Sequence, residues 1–273
     1  MFRLSFLLLF VAIATICCTV RAQEVVEDDD KGTRIKGGAR ASQELFPYQV
    51  SLQFRAMKYV SKKICSGMIV GEEYIVTAAH CVDFWEASVR NYKDLYVVAG
   101  VTYAFDLASA QVRAVKEAFK HPEYKVYDNY TAVNDIAVLK LSSPLDFGQL
   151  VGQCELPEED FKIEGSGIIS GWGAIRNPPK AHQSKDLLYA NVTTVPNEAC
   201  DLLNDGATQF CAGGKDVNAC GGDSGGPFAV KTPEGVVVCA GVISYGEHGC
   251  GDKPSVYTKI SAFTDFIRSK MDN

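Results

Sequence analysis

The sequence predicts an all-β fold of the barrel or sandwich type. Two observations support this prediction. Short runs rich in branched and aromatic residues recur along the chain, and several of them alternate between apolar and polar positions. Turns containing Gly, Pro, Asn and Asp separate these runs. The predicted strands cover residues 48–54, 64–70, 74–77, 95–99, 136–141, 187–195 and 236–244.

The chain begins with a segment typical of a secretory signal peptide, residues 1–22. Arg3 precedes an apolar run over residues 4–16, and Val20-Arg21-Ala22 provides a small-residue cleavage site. The apolar run is short for a membrane span, and no other run approaches ~18 apolar residues. A signal anchor is the alternative. Secretion would place the remaining chain where disulfides persist.

The composition indicates a globular protein and argues against one class of partner. The 273 residues are 47% hydrophobic and 22% charged, enough for one large domain or two of ordinary size. The formal net charge is -6. Nucleic-acid binding needs a clustered basic surface. Apart from Lys62-Lys63 the sequence has no basic cluster, so we expect no nucleic-acid partner. The lengths of the apolar runs given above likewise lead us to expect no membrane partner.

Three distant motifs carry the residue types of one catalytic reaction. His80 lies in the run TAAHC, Asp135 in NDIAVL and Ser224 in CGGDSGGP. A serine hydroxyl is a weak nucleophile until a histidine takes its proton and a carboxylate orients that histidine. The glycines around Ser224 let the backbone turn sharply and approach a ligand closely. We therefore expect Ser224 to be presented to a substrate.

In their order and surroundings, these motifs resemble those of the trypsin/chymotrypsin family of serine endopeptidases, from about residue 35 to the C-terminus. The resemblance implies a peptidase domain over residues 35–273, made of two packed six-stranded antiparallel β-barrels. The first barrel would cover about 35–155 and the second about 156–259. A terminal amphipathic helix over about 260–271 is predicted from apolar residues at helical spacing.

The resemblance also implies a role for each residue of the site. Ser224 would attack the scissile carbonyl, His80 would transfer the proton, and Asp135 would orient the histidine. The backbone N–H groups of Gly222 and Ser224 would form the oxyanion hole. The segment Ser244-Tyr245-Gly246 would pair with an extended substrate, with Ser244 also supporting Asp135.

An activation step follows from the same resemblance. Residues 23–34 would be an activation propeptide removed by a cut after Arg34. The freed amine of Ile35 would fold inward and pair with Asp223, and the oxyanion hole would be poorly formed before that cut. The acidic run ending at Lys31 resembles an enteropeptidase site, but a cut there would leave three extra residues in front of Ile35.

The resemblance and the residues together predict an uncharged primary pocket. Asn218 lies six residues before Ser224, where trypsin-like members place an aspartate, so a bound Arg or Lys would have no counter-ion. Asp216 could serve only if the loop were shifted. Gly246 would leave the entrance open and Ser255 would narrow the cavity. We expect Leu, Met, Phe or Tyr as the preferred side chain, and small residues as the second choice.

The cysteines predict four disulfides. Cys17 and Cys18 leave with the signal peptide, so the ten cysteines become eight. The family pattern implies three pairs, and the absence of a cysteine in the propeptide leads us to expect that Cys154 pairs with Cys239, with two free thiols as the alternative. The three family pairs are Cys65 with Cys81, Cys200 with Cys211, and Cys220 with Cys250.

The remaining expectations concern modification, cofactors and partners. Asn129 and Asn191 begin glycan acceptor tripeptides. We expect no metal and no cofactor. The expected partners are polypeptide substrates, protein protease inhibitors and, because the pocket should cut poorly after Arg34, a separate trypsin-like activator. We expect a secreted, extracellular monomer, with a digestive role. The alternatives are a trypsin-like enzyme that cuts after Arg or Lys, and a protease-shaped binding module without turnover.

Overall fold

The computed structural model describes Ile35 and residues 37–57, 60–88, 95–127, 131–175, 182–247 and 250–272. The predicted signal peptide, the propeptide with Arg34, and Asn129 lie outside these residues. No helix in the described ranges has the length and apolarity needed to cross a membrane.

Strands dominate the described chain. Two helices are present in the described residues, α1 Ala79–Ser88 and α2 Thr264–Met271. The strands are β1 Ala39–Arg40, β2 Gln49–Met57, β3 Val60–Gly71, β4 Tyr74–Thr77, β5 Leu95–Ala99, β6 Gln111–Lys120, β7 Lys125–Val126, β8 Ala132–Val133, β9 Ala137–Leu141, β10 Ser166–Gly171, β11 Leu188–Val195, β12 Gln209–Ala212, β13 Pro227–Lys231, β14 Val237–Tyr245 and β15 Ser255–Lys259.

The first barrel closes in the order β2-β3-β4-β9-β6-β5, with neighbouring strands antiparallel. Alternate residues of its strands fill the interior, among them Leu52, Met68, Ile75 and Leu139, which are almost fully buried. This burial explains why period-two alternation and branched residues predicted the strands. The barrel supplies a rigid support for the helix and the loop that carry two of the site residues.

The second barrel follows the order β11-β10-β13-β14-β15-β12 and closes through pairing of β11 with β12. Its core contains three rings, Phe210, Phe228 and Tyr257, with centroids 5.0 to 5.5 Å apart. Offset and edge-to-face ring pairs of this kind add to the stabilisation from burial. The predicted fold of two six-stranded antiparallel barrels and a C-terminal helix is confirmed.

Two details of the fold differ from the sequence interpretation. The terminal helix begins at Thr264, because residues Ile260–Phe263 form a 3-10 turn that packs on the core. The chain start, assigned above to the first barrel, lies with the second. There β1 pairs with β11, and Ile35 is buried in the second core. The prediction placed these residues in the first barrel because they precede its strands in the chain. In the structure β1 instead pairs with β11, a strand of the second barrel.

The structure contains four disulfides, Cys65–Cys81, Cys154–Cys239, Cys200–Cys211 and Cys220–Cys250. These are the pairs predicted from the sequence. The bond between Cys154 and Cys239 joins the segment between the barrels to β14. The sulfurs of Cys65 and Cys81 lie close to His80, but their mutual bond removes them as thiolate metal ligands.

Candidate active site

Asp135 is a buried carboxylate held by both barrels. Asn134, just before it, has a φ of 51°, a left-handed conformation that Asn tolerates better than most residues, and the turn directs Asp135 inward. Asp135 is fully buried. Its Oδ2 accepts a hydrogen bond from Ser244 Oγ at 2.5 Å, and Thr258 Oγ1 donates to its backbone oxygen at 3.0 Å. Both of these partners belong to the second barrel.

His80 lies in the first turn of α1, directly above the end of β4. Its backbone N–H donates to Asp135 Oδ1 at 2.9 Å, and its Nδ1 lies 2.7 Å from Asp135 Oδ2. The contact with Oδ2 makes Nδ1 the protonated ring nitrogen, which leaves Nε2 free to accept a proton. About 31% of the His80 side chain is exposed.

The charges of this pair shift both pKa values. Burial alone would lower the pKa of His80, but the charge of Asp135, its hydrogen bond and the charge of Asp83 outweigh burial and raise that pKa. Burial would raise the pKa of Asp135, yet His80 and the Ser244 hydroxyl lower it below its usual value. Asp135 is therefore ionised, and it stabilises the protonated form of His80.

Ser224 lies in a turn that is packed against the first barrel. The N–H of Asp223 donates to the Cys220 carbonyl at 3.0 Å, and the N–H of Ser66 donates to the Ser224 carbonyl at 2.8 Å. Gly225 follows with a φ of 78°, and a Cβ there would lie 2.1 Å from Thr77 Oγ1. Only glycine combines this conformation with so close an approach. The turn therefore sets Ser224 beside the strand that leads to His80.

His80, Asp135 and Ser224 all line one cleft of about 390 Å³. Within the described residues, Ser224 Oγ makes no hydrogen bond to the His80 ring. Catalytic hydrogen bonds are often long in uncomplexed enzymes. The cleft also contains the predicted substrate-binding residues Ser244, Tyr245, Gly246 and Ser255.

Asn218, also predicted to bind substrate, is not among the residues that line this cleft; it lies behind Ser255, which does line the cleft, and uses its whole amide within the protein. Nδ2 donates to the carbonyls of Gly251 at 3.2 Å and Lys253 at 2.7 Å. Oδ1 accepts from the N–H of Ala219 at 3.0 Å and from Ser255 Oγ at 2.8 Å. Two donors and two acceptor positions are thereby filled. Asn218 is 1% exposed, whereas Asp216, the alternative pocket acid, is an exposed surface residue.

The cleft walls place Gly246 against Ser255. A Cβ on Gly246 would lie 2.9 Å from Ser255 Oγ, so the two residues face each other across the pocket. Tyr245 is fixed through its hydroxyl, which donates to the Leu202 carbonyl at 3.0 Å and accepts from Asn204 Nδ2 at 2.9 Å. The segment predicted to receive the substrate is therefore held from behind.

Sequence reasoning missed two residues that shape the site. Glu247 lines the cleft directly after Gly246, and its Oε2 accepts the N–H groups of Asp252 and Lys253. Gln209 is fully buried and donates from Nε2 to the Ala132 carbonyl at 2.7 Å, so β12 supports the strand that precedes Asp135. The position of Glu247 next to Gly246, a predicted substrate-binding residue, could have indicated that Glu247 lies at the cleft. No local sequence pattern indicates a role for Gln209.

Asp223 and Ile35, the predicted activation pair, are both fully buried. The Asp223 carboxylate accepts the N–H of Gly173 at 2.7 Å and that of Cys220 at 3.0 Å. Burial raises the pKa of Asp223, while the charge of Lys63 and these two hydrogen bonds oppose the rise. Ile35 has a φ of 29°, which is a strained conformation for a β-branched residue.

Comparison with known proteins agrees with this geometry. The family model described as Trypsin matches residues 35–267. The chain is 34% identical over 259 residues to kallikrein 1-related peptidase b3 of Mus musculus, covering 88% of this chain and 90% of that protein. It is 32% identical over 257 residues to glandular kallikrein-10 of Rattus norvegicus, with the same coverage of each chain.

The match spans both barrels and every described residue of the site. Members of this family are hydrolases that cut peptide bonds with an activated serine, so their substrates are polypeptides and protein protease inhibitors are their natural antagonists. The chain therefore belongs to the trypsin family of serine endopeptidases.

Proposed function

We propose that Ser224, His80 and Asp135 form the catalytic triad of this endopeptidase. Ser224 Oγ attacks the scissile carbonyl while His80 Nε2 takes its proton, and the same nitrogen then protonates the leaving amine. Asp135 holds the tautomer and stabilises the imidazolium. The 2.7 Å contact between Asp135 Oδ2 and His80 Nδ1, on one side of the cleft that contains Ser224, carries this proposal.

The oxyanion of the tetrahedral intermediate is received by the backbone N–H groups of Gly222 and Ser224. Gly222 has a φ of 97°, and the turn that contains it is closed by backbone hydrogen bonds. Labelling with a fluorophosphonate tests the whole assignment, because the reagent requires an activated serine and an oxyanion site. Stoichiometric labelling at Ser224 after cleavage at Arg34 is expected. Correctly processed protein that stays unlabelled would instead be a binding module.

The primary pocket prefers uncharged side chains of medium or large size. Asn218 offers no charge and no spare hydrogen bond, and Ser255 Oγ stands above it. A buried Arg or Lys would therefore lack both a counter-ion and a polar partner at the floor. Leu, Met, Phe and Tyr fit an apolar cavity of reduced depth. This distinguishes the chain from trypsin-like enzymes within the same family.

Two substitutions at Ser255 should shift this preference in opposite directions. Ser255→Gly removes a side chain from the pocket wall and is expected to raise kcat/KM for Phe and Tyr relative to Leu about tenfold. Ser255→Thr adds a methyl group and should favour smaller residues by a similar factor. Cleavage-site profiling of a peptide library measures both. Predominant cutting after Arg or Lys by the unsubstituted enzyme would contradict the pocket assignment.

The chain is made as a secreted precursor and is activated by a trypsin-like protease that cuts after Arg34. The buried Ile35 side chain supports this step, because the new terminus would need no rearrangement of its side chain to reach the core. Cleavage also removes the peptide bond that defines the strained φ of Ile35. The freed ammonium then compensates the buried charge of Asp223.

Arg34→Gln should abolish activation. Treatment of the precursor with trypsin is expected to produce activity and an N-terminus at Ile35, whereas the Arg34→Gln precursor stays inactive. Lys31→Gln is the matched control and should still be activated, because its junction is intact. N-terminal sequencing and peptide hydrolysis measure the two outcomes. Activity that develops in purified precursor without an added protease would contradict the need for a separate activator.

Glycosylation, a monomeric state and a digestive role stay predictions. Asn191 is exposed on β11, between the buried Ala190 and Val192, so its amide points to solvent. A glycan there would leave the cleft free. Peptide mass mapping with and without deglycosylation tests both Asn191 and Asn129.

A further inference from the structure

Lys63 is a buried lysine beside the loop that carries Ser224. It lies on β3 of the first barrel, and only 4% of the residue is exposed. Its Nζ donates a hydrogen bond of 2.6 Å to the carbonyl oxygen of Gly222 in the second barrel. The charged end of a surface-type residue therefore crosses from one barrel to the other at the base of the catalytic loop.

Burial of this ammonium is unfavourable. Burial lowers the pKa of Lys63 to about 8, and the charge of Asp223 opposes that shift. Gln53, which pairs with Lys63 on β2, is uncharged, and so is Gly222. Among the described residues, Asp223 is thus the charged group whose field acts on Lys63. A lysine with so little compensation is expected to serve a purpose at this place.

The loop contacted by Lys63 needs an outside restraint. Gly222 has a φ of 97°, and Gly221 precedes it, so two adjacent residues have the wide conformational freedom of glycine. Asp223 holds the loop on one side through the N–H groups of Gly173 and Cys220. Lys63 holds the loop at a second point, through the carbonyl of Gly222.

We propose that Lys63 is a positioning residue for the oxyanion hole: by binding the Gly222 carbonyl, it fixes the peptide plane between Gly222 and Asp223 and so restricts the rotation of Gly222, whose N–H is one of the two oxyanion donors. The inference rests on the proposed oxyanion role of Gly222. Lys63 does not touch the substrate. A correctly aimed donor is worth most in the transition state, when the carbonyl oxygen acquires its charge.

Lys63→Met, in the enzyme activated by trypsin, tests whether Lys63 positions the oxyanion hole. The variant keeps an apolar stem of similar length but loses the donor. We expect kcat to fall tenfold to a hundredfold, less than the loss typical of deleting a whole oxyanion donor, with KM almost unchanged. The affinity for a peptide aldehyde, which mimics the tetrahedral state, should fall by the same factor.

Lys259→Met is the matched control. Lys259 also donates from Nζ to a glycine carbonyl, that of Gly206, at 2.6 Å, and burial also lowers its pKa, but it lies away from the cleft. Its removal should leave kcat unchanged. Rates are divided by the concentration of enzyme whose Ser224 is labelled by fluorophosphonate at completion. Misfolded protein then does not lower the measured kcat.

The pH dependence of kcat distinguishes a role for the charge of Lys63 from a role in packing alone. The kcat of the unsubstituted enzyme should decline as pH rises through about 8, because the Lys63 ammonium becomes a neutral amine there, which donates a weaker hydrogen bond to the Gly222 carbonyl. Lys63→Arg keeps the charge and a donor, so its kcat should persist to higher pH. Any decline that remains in this variant belongs to the Ile35 amine. A Lys63→Met kcat within twofold of that of Lys259→Met, or equal affinities of these two variants for the peptide aldehyde, would overturn the proposal.

These results distinguish a failure of the Lys63 proposal from a failure of the triad proposal. If the unsubstituted, processed enzyme labels at Ser224 and turns over peptides, the proposed function stands whatever Lys63 does. If it does not label, the triad proposal fails first.

Discussion

Replacing Ser224 by Ala is expected to lower kcat about 10⁶-fold, because the residual rate would come only from substrate binding and the oxyanion hole. The fold should persist. The Ser66 N–H bonds the backbone carbonyl of Ser224, and that bond does not depend on the side chain. Steady-state peptide hydrolysis measures the loss of rate, and thermal unfolding of the activated variant checks that the fold persists.

Ser269→Ala is a suitable control for this experiment. Ser269 lies on α2, where its Oγ donates to the Phe266 carbonyl, far along the chain from the site motifs. Its replacement should change neither kcat nor the labelling stoichiometry. Residual hydrolysis by Ser224→Ala within a hundredfold of the parent would mean that another group serves as the nucleophile.

Replacing Asp135 by Asn is expected to lower kcat about 10⁴-fold, a loss typical of this substitution in serine proteases. The carboxylate accepts hydrogen bonds on both oxygens, from the backbone N–H of His80 and from Nδ1 of its ring. An amide must place its NH₂ group at one of these positions. If NH₂ faces the ring, His80 must accept at Nδ1 and carry its proton on Nε2, which then cannot accept the proton of Ser224.

The same variant should change the pH dependence. His80 must be neutral to act as the base, and its pKa is raised mainly by Asp135 against the effect of burial. The kcat/KM of the parent enzyme should therefore fall as pH drops through a value above 6.5. In Asp135→Asn the acid limb should move to lower pH, because the charge that raised the pKa is gone. An unmoved acid limb would mean that the limb does not report His80.

The sequence predicted seven of the fifteen strands in the described residues, and it named three residues that share one cleft, because these features have local signals in the sequence. The strands over residues 74–77 and 95–99 were predicted with the bounds they have. Both are short runs rich in branched and aromatic residues, and polar residues, Glu73 and Asp94, precede them. The three motifs that contain His80, Asp135 and Ser224 could be recognised for the same reason, because each consists of residues that are neighbours in the sequence.

Features that depend on distant contacts were not predictable in this way. The predicted strands leave out residues 55–63, yet β3 begins at Val60 and Lys63 is buried. A lysine in a polar stretch usually faces solvent. Its burial here depends on the carbonyl of Gly222, far along the chain. Helix α1 was also missed, because its hydrophobic pattern does not follow a clear helical period.

The placement of Asp135 between the barrels has a consequence for the enzyme as a whole. Its backbone oxygen is bound by Thr258 and its carboxylate by Ser244, while its histidine partner belongs to the other half. Neither half alone contains His80, Asp135 and Ser224 together with the hydroxyl groups that hold Asp135 in place. The two barrels, expressed separately, should have no peptidase activity, and activity should return only when they associate. The catalytic rate therefore reports the extent to which the two barrels are correctly packed together.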